Sequence, residues 1–394
     1  MKPVAVTDYT VASAIGIGRD ATLSSLQAGR TGLEPRGFET AVLQTWLGEV
    51  PGVDDRPLPA SLSRYECRNN RLAWLGLQAD GFADRVQEAR GRVGAARVGV
   101  FLGTSTSGIL STEQAYRRRD PATGALPGID YAGTQSTGSL AAFVRDALGL
   151  AGPAFAISTA CSSAAKAVAA GARMLALGLI DTAVVGGVDS FCMTTLHGFD
   201  SLELLSPDIC RPWDAHRRGL SLGEGAAYAL LERSHRAPRG WLLGTGETSD
   251  GFHMSSPHPE GAGAVGAMRA ALAAAGRAPA EIDYLNLHGT GTGSNDAAED
   301  AAVRKVFGAA LPCSSTKGAT GHTLGAAGGV EAAIVLLALE HGLMPGGLHR
   351  TTPDPALGVR YLDAPVDAPI EIAASNSFGF GGSNICLVFG KAAP

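Results

Sequence analysis

Residues 154–188 read AFAISTACSSAAKAVAAGARMLALGLIDTAVVGGV: an apolar run, a turn of small polar residues, a long alanine-rich segment and a β-branched run. Short β-branched or aromatic runs make strands and longer Ala/Leu segments make helices. The stretch therefore predicts a strand at AFAIS, a helix from Cys161 to Leu177 and a strand at DTAVVGGV. Two strands joined through such a helix point to a parallel pair, because a parallel connection has to cross over the sheet. Upstream, RVGVFLG (97–103) and a helix near Ser139 to Leu148 extend the alternation. Downstream it returns as GAVGAMRAALAAAG (helix), EIDYLNL (strand), EAAIVLLALEHG (helix) and ICLVFG (strand). The rhythm predicts an α/β fold of two structural duplicates with parallel strands, although residue identity between the halves is low. The polar, proline-bearing ERSHRAPRG (232–240) marks the expected boundary, giving units of 1–234 and 235–394. The 190–225 stretch has little periodicity and is expected to be an ordered excursion over one end of the fold.

At 394 residues and 45% hydrophobic content the chain can bury a large core. Its net charge of −5 argues against general nucleic-acid binding, which needs a basic surface, so an acidic partner must be met by a local cluster. The six cysteines (Cys67, Cys161, Cys192, Cys210, Cys313 and Cys386) show neither a C-x-x-C pair nor zinc spacing. That pattern fits a reducing cytoplasm and no metal centre. MKPVAVTDYT lacks the pattern of a signal peptide, and no apolar run is expected to reach the roughly 18 residues that span a bilayer. The expectation is a soluble, cytoplasmic protein.

Cys161 follows a strand and opens a helix, where the helix dipole and free N–H groups favour a thiolate. A cysteine is more often a small buried hydrophobe, but STA before it and SSA after it leave room for a reactant. His288 ends EIDYLNL and begins HGTGTGSND, at the strand end where α/β proteins bind ligands. His322 lies in SSTKGATGHTLGAAGGVEAA (314–333), a second glycine-rich turn before a second helix, with Lys317 and Glu331 nearby. One cysteine and two loop histidines could share a pocket, whereas His197, His216, His235, His253, His258, His341 and His349 lack such a setting. No Rossmann fingerprint or G-x-S-x-G elbow is present.

STACSSA, HGTGT, KGATGHTLGAAGGVE and NSFGFGGSN, in this order, resemble the elongating β-ketoacyl-acyl-carrier-protein synthases, which share the thiolase fold; RPWDAHRRGLSLGEGA extends the resemblance to nearly the whole chain. The resemblance implies helices and sheets in alternating stacked layers. It implies Cys161 as the acyl-bearing nucleophile, His288 and His322 as the histidine pair, Lys317 as their charged neighbour and Glu331 as its buried counter-charge. Thr290 and Thr292 would contact the pantetheine arm, with Phe378, Gly379 and Phe380 forming a substrate-binding loop in which Phe380 is a gate. The backbone N–H groups of Cys161 and Phe380 would be the oxyanion donors. No cofactor is implied, since the substrates ride on the 4′-phosphopantetheine of an acyl carrier protein. A homodimer, or a heterodimer with a related subunit, is implied as well. The chain departs from the family at Gly293, where proline is usual.

Three other readings compete. A degradative thiolase would use a second cysteine where this chain has NSFGFGGSN; an initiating synthase would lack the second histidine; a chain-length-factor subunit would lack the nucleophile. Two arginine clusters are candidates for carrier docking: Arg64, Arg68 and Arg71 in SRYECRNNR, and Arg117, Arg118 and Arg119 in AYRRRD. YECRNNRLAWLGLQ and the N-terminus are closer to specialised aryl-polyene or polyketide synthases than to housekeeping fatty-acid enzymes.

Overall fold

The computed structural model describes residues 1–233 and 235–393. Its 12-stranded sheet is built on ten main strands. The first half contributes β1 (Val4–Ser13), β2 (Val98–Gly103), β3 (Ala154–Ile157), β4 (Thr182–Asp189) and β5 (Gly225–Glu232). The second contributes β6 (Gly240–Ser249), β7 (Tyr284–Asn286), β8 (Pro312–Ser314), β9 (Ile372–Gly379) and β10 (Ser383–Gly390). In space the first five run β3-β2-β4-β5-β1 and the second five β8-β7-β9-β10-β6, the same order by position within each half. Val4–Val6 pairs antiparallel with Gly240–Leu242 and joins the two sets.

The all-parallel expectation is corrected. β2 pairs parallel with β3 and β4, as β7 does with β8 and β9, but β4–β5, β5–β1, β9–β10 and β10–β6 are antiparallel. The crossover argument holds only where a helix links neighbouring strands, and β9 and β10 are joined by a tight turn instead.

Seven helices layer this sheet: α1 (Arg68–Gln78), α2 (Phe82–Val93), α3 (Gly138–Ala147), α4 (Ser163–Ala176), α5 (Ala262–Ala275), α6 (Gly293–Phe307) and α7 (Ala327–His341). α4 and α7 pack on each other between the two halves of the sheet, where Val168, Ala172, Val335 and Leu336 share one core with Val185 and Leu387. α1, α2 and α3 cover the outer face of the first half, and α5 and α6 that of the second. The order is helix, sheet, helix, sheet, helix. Small residues make the middle layer possible: a Cβ on Gly171 would stand 2.4 Å from Val185 Cγ1, and one on Gly328 would stand 2.7 Å from Ala165 Cβ.

α7 is buried all round from Ala327 to Leu339, because it faces a sheet on both sides. This corrects the expectation about apolar runs. Leu324–His341 is 18 residues long and apolar enough to cross a bilayer, but 89% of it is buried inside the fold, so it is a core helix. The 190–225 excursion is ordered and holds a helix at Met193–Ser201 and a short strand at Leu222–Gly223.

Candidate active site

Cys161, His288 and His322 meet at one narrow cleft, with Phe378, Gly379, Phe380, Thr290 and Thr292 also on its walls. Cys161 stands on the turn between β3 and α4. Ala160 takes a φ of 52°, a strained value for a residue with a side chain, and turns the chain sharply before Cys161. The helix begins at Ser163 with Ser162 as its cap, so Cys161 lies just outside the helix rather than opening it. Burial pushes its thiol up to about 12, with Lys317 pulling the other way. This corrects the expected depression: desolvation of a buried anion outweighs the pull of the Lys317 charge. Cys67, Cys192, Cys210 and Cys386 are raised for the same reason, so acidity does not single out Cys161. Its neighbour does. His322 Nε2 is 2.9 Å from Cys161 Sγ, within reach of a proton transfer.

His322 is held by its backbone, its N–H donating to the Ser221 carbonyl at 2.7 Å and its carbonyl accepting from Gly223 N–H at 3.0 Å. The His288 ring lies 5.4 Å from the His322 ring, centre to centre, at 86°. Burial, together with the positive charge of Lys317, holds both imidazoles well below 6.5, so both are neutral at physiological pH. Lys317 Nζ sits between the His288 carbonyl, the Glu331 carboxylate and, at 3.4 Å, His288 Nδ1. That contact turns Nε2 of His288 towards the cleft as the nitrogen free to donate. Burial pushes Glu331 up to about 7 against the pull of Lys317.

The 378–380 loop lies against the cysteine turn. A Cβ on Gly379 would stand 2.6 Å from the Thr159 carbonyl and 3.3 Å from Cys161 N, so only glycine permits this approach. Phe378 packs 5.7 Å from His288, and Thr290 and Thr292 share a hydroxyl contact of 2.9 Å at the cleft wall. Phe380 pairs with Phe199, ring centres 5.7 Å apart. Both rings, with Cys161, also border a second, open pocket of about 430 Å³ lined by Leu202 and Leu324, apolar and able to take an acyl chain.

Three residues that sequence reasoning missed hold this geometry. Glu299 on α6 accepts the N–H groups of His288 and Gly289, each at 2.8 Å, and the Asn376 amide at 3.1 Å. Asp189 at the end of β4 accepts from Thr104 Oγ1 at 2.6 Å, Thr106 N at 2.9 Å and Gly325 N at 2.6 Å, tying the first half to the His322 loop. Phe199 is the third. A buried acid in the apolar spacing of α6 was the available signal for Glu299; the other two had none.

The arginine clusters divide. Arg68 is 5% exposed and its guanidinium contacts Glu224, Glu49 and Asp54, so it is a structural ion pair and cannot dock a partner. Arg71 is tied to Glu66 and to the Asp54 carbonyl. Arg64 is exposed and stacks on Tyr65, and Arg117 reaches Glu39, Thr40 and Met193. Arg118 and Arg119 are exposed, held only through backbone carbonyls.

A buried thiol beside a neutral imidazole, with a second imidazole and an apolar cavity, set between duplicated halves, defines a thiolase-fold enzyme of acyl transfer. Residues 62–237 match the family model of the beta-ketoacyl synthase N-terminal domain, and residues 239–351 that of the C-terminal domain. The chain is 32% identical over 413 aligned residues to 3-oxoacyl-[acyl-carrier-protein] synthase 2 of Vibrio cholerae serotype O1, covering 98% of each. It is 37% identical over 307 residues to nodulation protein E of Rhizobium meliloti, covering 75% of this chain and 76% of that one. A solved chain from a ketosynthase in complex with its chain length factor, from Xenorhabdus doucetiae, superposes with a TM-score of 0.91 at 38% identity, covering 99% of this chain and 98% of that one. The chain belongs to the β-ketoacyl synthase family. It is an acyl-transferring enzyme of chain elongation, forming a 3-ketoacyl thioester by decarboxylative condensation.

Proposed function

We propose that Cys161 carries the growing acyl chain and that His288 and His322 drive its condensation with a malonyl unit on acyl carrier protein. The observation that carries this reading is His322 Nε2 at 2.9 Å from Cys161 Sγ, with the His288 ring 5.4 Å from that of His322. His322 takes the thiol proton as sulfur attacks the acyl thioester; the acyl group moves to Cys161 and the carrier leaves as a thiol. Malonyl carrier then binds past Thr290 and Thr292. Loss of CO₂ leaves an enolate whose oxygen accepts from the Nε2–H groups of both histidines, His322 now carrying its ring proton on Nε2. The enolate carbon attacks the Cys161 thioester, the oxyanion accepts from the N–H groups of Cys161 and Phe380, and the thiolate leaves. The product is two carbons longer.

Lys317 and Glu331 brace the histidines, the acyl chain occupies the pocket under Phe199, and Phe378, Gly379 and Phe380 form the substrate-binding loop with Phe380 as its gate. Arg64, Arg117, Arg118 and Arg119 remain as the docking candidates for the acidic carrier. The second subunit is a related chain. The relative solved with a chain length factor favours that kind of partner over a second copy, and the presence of Cys161 casts this chain as the catalytic member. The same likeness favours a specialised pathway over housekeeping fatty-acid synthesis. Six free thiols support work in the cytoplasm. The division into units of 1–234 and 235–394 follows the repeated strand order, with Ser234 itself outside the described residues.

The test is intact-protein mass spectrometry with a panel of acyl carriers, followed by malonyl carrier. The expected result is one acyl adduct on the wild-type protein, none on Cys161→Ala, and a 3-ketoacyl carrier on adding malonyl carrier. A wild-type-level adduct on the alanine variant would overturn the assignment.

A further inference from the structure

The two histidines come from different turns, one after β7 and one after β8, and a single segment of the 190–225 excursion touches both. On the His288 side, the Cys210 thiol donates to the Thr290 carbonyl at 3.4 Å and the Gly219 N–H donates to the Gly291 carbonyl at 3.1 Å. On the His322 side, the Ser221 carbonyl and the Gly223 N–H form the backbone clamp already described. The Ser221 hydroxyl joins the two sets by accepting the Cys210 N–H at 3.1 Å, and both side chains are fully buried.

The clamp is anchored and tight. At its far end the Glu224 carboxylate accepts from Val50 N–H at 2.9 Å, from Phe191 N–H at 3.1 Å and from Arg68 at 2.8 Å. A Cβ on Gly223 would stand 2.2 Å from the Thr320 carbonyl, and one on Gly291 would stand 2.9 Å from the Gly219 carbonyl and 3.1 Å from Cys210 Sγ. The turns are also joined directly, by the Ser315 hydroxyl to the Gly289 carbonyl at 2.6 Å. With that tether in place, the clamp tunes distance and angle rather than merely keeping the turns together.

We propose that Ser221 and Cys210 are positioning residues for condensation, setting the spacing of His322 and His288 without lining the cleft themselves. The inference rests on the histidine roles proposed above. Misplacing a reacting group by about 1 Å can cost on the order of a hundredfold in rate, so a side chain that fixes a backbone clamp has a large lever.

Ser221→Ala should lower kcat for condensation roughly ten- to a hundredfold while KM for malonyl carrier stays near wild type. It should also shift the pH profile of Cys161 alkylation by iodoacetamide, since His322 is the group beside the thiol. Cys210→Ala should lower kcat without moving that profile, because it acts on the His288 turn, and Cys210→Ser should restore the rate by donating to the same carbonyl. A Ser221→Ala protein with a lower Tm but unchanged kcat and alkylation profile would overturn the proposal. If that variant does not fold, equal rates for Cys210→Ala and Cys210→Ser would overturn it instead. His322→Ala run alongside separates the two levels: wild-type condensation in that variant means the histidine roles have failed, whereas its loss beside an indifferent Ser221→Ala sinks only the positioning.

Discussion

The turn after β3 and the turn after β8 stand at equivalent places in the two halves, and their chemistry is opposite. Each follows the third strand of its half and leads into a central helix. Each has a residue with a side chain at positive φ three positions before that helix: Ala160 at 52° before Ser163, and Leu324 at 53° before Ala327. By position Cys161 corresponds to Gly325, whose N–H is committed to Asp189. The first turn is small and uncharged; the second gathers Lys317, His322 and Glu331. The difference teaches where a duplicated fold can place charge. A nucleophile needs open approach and tolerates a neutral setting, whereas a buried lysine needs an acid beside it, and α7 supplies Glu331 from within its own helix.

The sharpest way to break this division is through the histidines. His288→Ala should slow condensation by about 10²- to 10⁴-fold while transfer of an acyl group to Cys161 stays near wild type, whereas His322→Ala should slow both half-reactions because His322 also takes the Cys161 proton, each measured in single turnovers. Equal losses in both half-reactions for His288→Ala would mean that the two histidines do not divide the work. Next comes the ion pair. Lys317→Met strands a buried carboxylate and should cost about 3–5 kcal/mol of stability by urea denaturation, while Lys317→Met with Glu331→Leu should recover most of it. No change with the single variant would show that the charge on that side is incidental.

A smaller effect concerns pH. Burial and Lys317 hold both imidazoles well below 6.5, so the condensation rate should run flat through pH 6.5 and fall only at clearly lower pH. The unfolded chain takes up protons at these residues near 6.5 while the native protein does not. Their contribution to stability is therefore complete above 6.5 and is lost as pH falls towards the depressed native values. A rate inflection at 6.5 itself would contradict the burial argument. The smallest effect is at Gly293, exposed at the first position of α6 and preceded by Thr292 at φ −90° and ψ 143°. That extended residue suits a following proline, so Gly293→Pro should stabilise by about 0.4–1 kcal/mol in thermal melts without changing kcat.

Much of this was legible from local signals. The strand, turn and helix around Cys161 and the glycine-rich turns of His288 and His322 announced themselves through period and composition. β1, β5, β6 and β9 did not, because residues such as those of GAAYALLE carry no alternation when a strand is buried on both faces, and antiparallel pairing leaves no local mark. Arg68 shows the limit most clearly. Its neighbours in sequence are polar and suggested a docking cluster, while Glu224, its main partner, lies 156 positions away. Asp189 was invisible for a related reason: a carboxylate that collects backbone N–H groups from other segments looks, in sequence, like any acid at a strand end.

The pairing of β1 also bears on how the chain is made. Val4–Ser13 leaves the ribosome well before its main partners, β5 and β6, and Gly225 follows Ser13 by 212 positions. At synthesis rates of about 5–20 residues per second, this strand waits roughly 10–40 s with most of its length unpaired, only Ala12 and Ser13 having a nearby partner in Gly16–Ile17. Chaperone occupancy on ribosome-bound chains should therefore be highest before β5 emerges and drop once residues of β6 clear the exit tunnel.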